Sequence, residues 1–152
     1  MTTHNWRSLI RNATHPGLVA LAWFGMSASV ALLAVPAVFS SGLDRPLTFI
    51  AARSIFVALN QAELIALILL LVTIRFAGLT RSLWHIAALL ALMQIAQASW
   101  LLPQLSERTD MIVSGMTPPP SAVHALYSGL HLAKLLLLLF IGLQVRRNGA
   151  AK

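Results

Sequence analysis

The chain has 152 residues, 58% of them hydrophobic and only 10% charged, with no cysteine and a formal net charge of +7. Water-soluble domains are about a quarter charged, so that class is excluded, and the lack of cysteine excludes disulfides, thiolate metal sites and thiol nucleophiles. The basic excess does not make a nucleic-acid footprint, which needs its cations gathered on one wet face; here they fall in short segments between apolar runs.

The length suits one domain, 1–152, and four apolar stretches divide it: about 17–39, 54–74, 83–102 and 122–145. Each approaches the roughly 20 residues that span a hydrocarbon core. Lipid forces backbone groups to be satisfied within a segment, so all four are expected to be helices. Short connections make successive helices antiparallel neighbours, which predicts an all-α integral membrane four-helix bundle.

The first stretch follows Arg7 and Arg11, as in a signal peptide, but its apolar run is longer than a usual signal core and reads as a retained helix. Pro16 suits its first turn, where a missing N–H costs nothing. Pro36 and Pro103 read as the ends of helices one and three, and Trp6, Trp84 and Trp100 as interfacial anchors. With both termini inside, Arg7, Arg11, Arg75, Arg81, Arg146, Arg147 and Lys152 are cytoplasmic. Arg45, Arg53 and Arg108 are then outside and Lys134 within the bilayer, a bias that favours N-in and C-in.

The last connection, "SERTDMIVSGMTPPPS", mixes charge with apolar residues and three prolines. Pro118 to Pro120 should be extended and stiff, and Ser121 is placed to cap helix four. "MIVSGM" reads either as a short turn over the bundle mouth or as plain connector.

Helix four opens "HALYSGLHLAK". At 100° per residue, His124, Ser128 and His131 lie within about 40° of one line, with Tyr127 and Lys134 to one side. A polar stripe on a spanning helix faces the bundle interior. Helix two repeats the spacing: Arg53, Phe56, Asn60 and Glu63 match His124, Tyr127, His131 and Lys134. Set at the same level, Glu63 and Lys134 align about 15 Å below the outer boundary, with Gln94 and Gln97 of helix three at similar depth. Together with the two prolines, this hints at two related hairpins in parallel arrangement.

An unpaired charge at mid-membrane costs about 2.5–3.5 kcal/mol even on a lenient scale, so Glu63 and Lys134 are expected to pair. The pair reads either as a lock on helix register or as the centre of an outward-opening polar core for a small polar or cationic solute. In that second reading Glu63 is the charged centre and Lys134 its counter-ion. His131, Asn60, Gln94 and Gln97 make secondary contacts, and His124, Tyr127, Arg53 and Arg108 surround the entrance. His124 and His131 share one helix and cannot clamp a haem; Met111 and Met116 beside His124 form no diagnostic copper set. No phosphate loop, nucleophile triad or carboxylate pair is present, so neither enzyme nor cofactor is expected. The rival to solute handling is an accessory subunit that packs against another membrane protein, with Gly25 and Ser29 on a small-residue face of helix one; a homo-oligomer would weigh against that rival.

Two blocks, "WFGMSASVALLAVPAVFS" with "IFVALNQAE", and "SWLLPQLSERTDMIVSGMTPPPSAVHALYSGLHLAK", resemble the bacterial four-helix membrane family called domain of unknown function 4149. That family looks related to eukaryotic transmembrane protein 205-like proteins. The most specific part runs from Pro103 through Arg108 and "TPPPS" to His124 and Lys134. The resemblance implies the fold and a multi-pass place in the bacterial inner membrane, and carries no biochemical activity.

Overall fold

The computed structural model describes residues 15–77 and 81–150, with side chains through Gln144. Trp6, Arg7, Arg11 and Lys152 lie outside the described residues, as do the side chains of Arg146 and Arg147. Four helices make up the described residues: α1 Pro16–Phe39, α2 Arg45–Ala77, α3 Arg81–Val113 and α4 Val123–Ala150. Each is long and apolar enough to cross a bilayer, so the chain is a multi-pass, all-α membrane bundle.

The helix bounds differ from expectation at one end of the bundle. α2 begins at Arg45 rather than near residue 54, and α3 continues to Val113 rather than stopping near 102. At 1.5 Å per residue these helices are about 50 Å long, against a hydrocarbon core of about 30 Å. The extra turns of both lie at the end that carries the α1–α2 and α3–α4 connections, called here the mouth end. Asp44-Arg45-Pro46 opens α2, with the proline in the first turn. "MIVSGM" belongs to the close of α3: Met116 N–H donates to Met111 O and Gly115 N–H to Ile112 O. This double bond needs a left-handed residue, and Gly115 supplies it at φ 80°. Ser121 caps α4, its Oγ accepting from Val123 N–H at 3.2 Å.

Pro36 and Pro103 do not end their helices; both lie within continuous ones. A proline lacks an N–H and its ring collides with the carbonyl four residues back. Each is preceded by a π-helical turn, Val30–Ala34 in α1 and Gln97–Leu101 in α3. There Val35 N–H reaches Val30 O, and Leu102 N–H reaches Gln97 O, one residue further back than in an α-helix. The wider turn accommodates the proline and lets the helix run on.

Burial follows the same doubled pattern. Ala52, Asn60, Glu63, Leu67 and Leu70 on α2 are matched by Val123, His131, Lys134, Leu138 and Ile141 on α4. Ala20, Trp23 and Ser27 on α1 are matched by Ala87, Leu90 and Gln94 on α3. The two hairpins thus bury equivalent faces, as the repeated spacing suggests.

Two apolar cores result. The larger, at the end away from the mouth, gathers Trp23, Leu70, Ile74, Leu90, Leu138 and Ile141. The smaller, toward the mouth, holds Leu101, Val123 and Tyr127, with Phe56, Leu105 and Leu130 against them. α1 packs closely on α4 along Pro16–Ser29. A Cβ on Gly142 would stand 2.5 Å from Leu21 Cγ and Cδ2, so glycine permits this approach. Beyond the π turn α1 buries none of its residues and leans on α2 instead. A gap therefore opens between α1 and α4 on the mouth side.

Candidate functional site

Between the two cores lies a polar cluster to which every helix contributes. The Lys134 ammonium donates to Glu63 Oε2 at 2.7 Å, to Gln94 Oε1 at 2.8 Å and to Gln97 Oε1 at 2.6 Å. An ammonium has three protons, and all three are used. The other Glu63 oxygen, Oε1, accepts from Ser27 Oγ at 2.7 Å and Trp23 Nε1 at 3.3 Å. Gln94 Nε2 donates to Asn60 O at 3.2 Å, and Gln97 Nε2 to Tyr127 O at 3.3 Å. Glu63, Lys134, Gln94, Gln97 and Ser27 are wholly buried.

The spacing argument thus places Glu63, Lys134, Gln94 and Gln97 together correctly. It missed Ser27 and did not assign Trp23 to the cluster, although both stand on the stripe that begins at Ala20 with spacings of three and four. Ser27 sits among small residues that read as a packing face. The π turn at Gln97–Leu101 starts just where α3 delivers its second amide, and it keeps Leu101 and Thr109 inward afterwards.

Immediately toward the mouth the picture reverses. His131 Nδ1 and Nε2, the Tyr127 hydroxyl and Asn60 Nδ2 are buried and meet no hydrogen-bond partner among the described residues. Orphaned buried polar atoms are rare in folded proteins, and each asks for a cause. The His131 ring lies nearly parallel to Tyr127, centroids 6.3 Å apart, and Phe56 meets Tyr127 edge-on at 5.5 Å. These aromatic contacts hold the rings without satisfying their polar atoms.

Two of these residues, His131 and Tyr127, line a chamber, although their polar atoms are themselves buried; Asn60 lines none. A chamber of about 290 Å³ lies between α1 and α4, with His131 and Tyr127 on its wall and Leu32, Leu132 and Leu135 at its side. A second, of about 350 Å³, lies at the mouth between the extensions of α2 and α3. Both are lined by Val35, Phe56 and His124, so the two chambers adjoin across these side chains and together make a cleft. Arg45, Arg53 and Arg108 line its mouth together with Phe39 and Phe49.

Those arginines are differently engaged. Arg53 pairs with Asp110 and ties the two helix extensions together. Arg108 donates to Pro119 O at 2.7 Å, which fixes the triple-proline segment across the end of α3. The guanidinium of Arg45 lies 5.9 Å from the centre of the Phe49 ring and joins no ion pair among the described residues. Asp44, Glu107 and Asp110 balance these charges overall, yet none lines the cleft. Of the expected entrance residues, His124, Arg53 and Arg108 border the mouth and Tyr127 lies deeper, buried beside His131. Among the described residues no three His, Asp or Glu gather as metal ligands do.

No family model, curated protein or solved structure matches this chain.

Proposed function

We propose that this membrane protein takes a small polar solute into the cleft from the outer face and binds it against His131 and Tyr127. The observation that carries this reading is the buried polar atoms of His131 and Tyr127, without partners among the described residues, on two side chains that line a chamber adjoining the mouth. The same polar groups without a ligand cost the protein stability, which makes sense where a ligand supplies the missing bonds.

Within this reading the parts of the ladder divide. Glu63 is saturated by Lys134, Ser27 and Trp23, so a cationic solute centred on Glu63 must first displace the ammonium. The cluster acts instead as the seal at the inner end of the cleft, and any onward movement of solute requires Lys134 to leave its three acceptors. The solute is bound one turn above, by groups that both donate and accept.

Placement in a bacterial inner membrane with both termini inside, and membership of the domain of unknown function 4149 family, belong to the same proposal. The charge bias of the connections supports the orientation, which turns the mouth outward. The family reading rests on the two resembling sequence blocks.

An accessory role is the second reading. It is favoured by the face of α1 at Gly25 and Ser29, where a Cβ on Gly25 would meet nothing and Ser29 is exposed. A small-residue face of this kind suits another spanning helix. Isolation of the protein with one stoichiometric partner through that face would favour it.

The absence of native cysteine makes a direct test simple. Ser128 lines the inner chamber and is exposed, whereas Leu90 is fully buried. In native membranes, a membrane-impermeant thiol reagent added outside should label Ser128→Cys and leave Leu90→Cys untouched. If Ser128→Cys stays unlabelled, no water-filled path leads to His131 and the solute reading fails.

A further inference from the structure

Three basic side chains from three helices stand at one level of the mouth chamber. Arg53 precedes Glu63 by ten positions on α2, and His124 precedes Lys134 by ten on α4. Arg108 follows Gln97 by eleven positions on α3. Glu63 and Gln97 both accept from the Lys134 ammonium, so at 1.5 Å per residue all three lie about 15 Å above that layer. The ion pair of Arg53 with Asp110 agrees with this register of α2 against α3. All three line a single chamber of about 350 Å³. Arg45 lines it too, but stands eight positions, about 12 Å, further out on α2, at the rim rather than in the ring.

The ring has donors to spare. A guanidinium carries five N–H groups; Arg53 gives one bond to Asp110 and Arg108 one to Pro119 O. Asp44, Glu107 and Asp110 line no part of the chamber, and Arg108 joins no ion pair among the described residues. Phe56, Leu102 and Leu105 make the lining apolar just below the ring. A cation meets like charge here and no carboxylate. A carboxylate offers two coplanar oxygens, which one guanidinium already matches. A phosphate group spreads its oxygens in several directions and accepts from arginines on different helices at once. Depth agrees. The apolar run 54–74 centres near Glu63, so the ring stands at the edge of a hydrocarbon core about 30 Å thick, where lipid phosphates begin.

We propose that the mouth chamber binds a phosphate group between Arg53, Arg108 and His124. The site goes beyond the solute reading above and does not depend on it, because neither His131 nor Tyr127 lines this chamber. An outer-leaflet phospholipid and a free phosphate both present the group at this level, and the test tells the two sources apart.

The test uses the purified full chain in a phosphate-free maltoside detergent, with bound mass counted by native mass spectrometry. Titration with phosphatidylglycerol or with inorganic phosphate should give one saturable adduct, the lipid or the free ion according to the source. Dioleoylglycerol, which has lipid chains and no phosphate, should give none, and neither should acetate. Arg53→Gln combined with Arg108→Gln should weaken the adduct about tenfold or more, the scale of a lost charge-assisted contact. Ser106 lines the same chamber, and Ser106→Trp should fill it and abolish the adduct while leaving every arginine in place. Arg75→Gln, at the other end of α2, should change nothing, and thermal melting shows which variants keep the parent fold. No saturable adduct with either phosphate source would overturn the proposal. So would equal uptake of dioleoylglycerol or acetate, or an adduct that persists unchanged in a folded chamber variant.

Discussion

The Lys134 ammonium lies 2.7 Å from a Glu63 carboxylate oxygen across 71 positions of sequence, and two glutamine oxygens complete its shell. Nothing at this junction is left for water or solute to satisfy. One turn toward the mouth, neither nitrogen of His131 meets a hydrogen-bond partner among the described residues. A saturated polar layer and an unsatisfied one thus lie one turn apart.

Removing one member of the saturated layer leaves the other stranded. Glu63→Gln or Lys134→Met should destabilise the protein by about 3–5 kcal/mol, and Glu63→Leu with Lys134→Met should recover most of it. Denaturant unfolding in detergent measures this. Single variants that unfold like the parent would show that the ion pair is not the lock.

Gln97→Leu and Gln94→Leu each take one acceptor from Lys134 and should each cost about 1–3 kcal/mol. Because they share one ammonium, the double variant should depart from additivity by at least about 0.5 kcal/mol. A strictly additive cycle would separate the two amides from the lysine.

His131→Phe keeps an aromatic ring beside Tyr127 and removes two orphaned nitrogens. Stability should hold or rise, by up to about 1 kcal/mol, since no protein hydrogen bond is lost. A clear loss of stability would mean that His131 serves the fold rather than a ligand.

The close approach of α1 and α4 at Gly142 is a packing matter alone. Gly142→Ala drives a methyl into Leu21, at a cost of about 1–3 kcal/mol. Leu21→Ala in the same chain should relieve much of the clash. If the two substitutions cost the sum of their separate effects, the contact at Leu21 is not what limits the site.

The Arg53–Asp110 pair joins the two extensions at the mouth, and Asp110 is mostly exposed. Asp110→Asn should change stability by no more than about 1 kcal/mol, and less at high salt.

The number of spanning helices and the joint depth of Glu63 and Lys134 were legible in the sequence because each rests on local rules. Apolar run length sets the span, and the 3-4-3 spacing on α2 and α4 sets which residues share a face and a level. The ends of α2 and α3 were not legible that way: polarity in "DRPLTFIAAR" and "SERTDMIV" marks departure from lipid, not the end of a helix. Pro36 and Pro103 misled for a related reason, since a π turn absorbs each proline and only the conformation of the preceding turn reveals it. Whether a polar side chain is satisfied depends on partners far away in the chain. Trp23 and Ser27 complete Glu63 from another helix, while His131, on the same stripe as Lys134, finds none. Periodicity chose the inward faces; only the packing of four helices against one another decided which inward groups meet and which open onto a cleft.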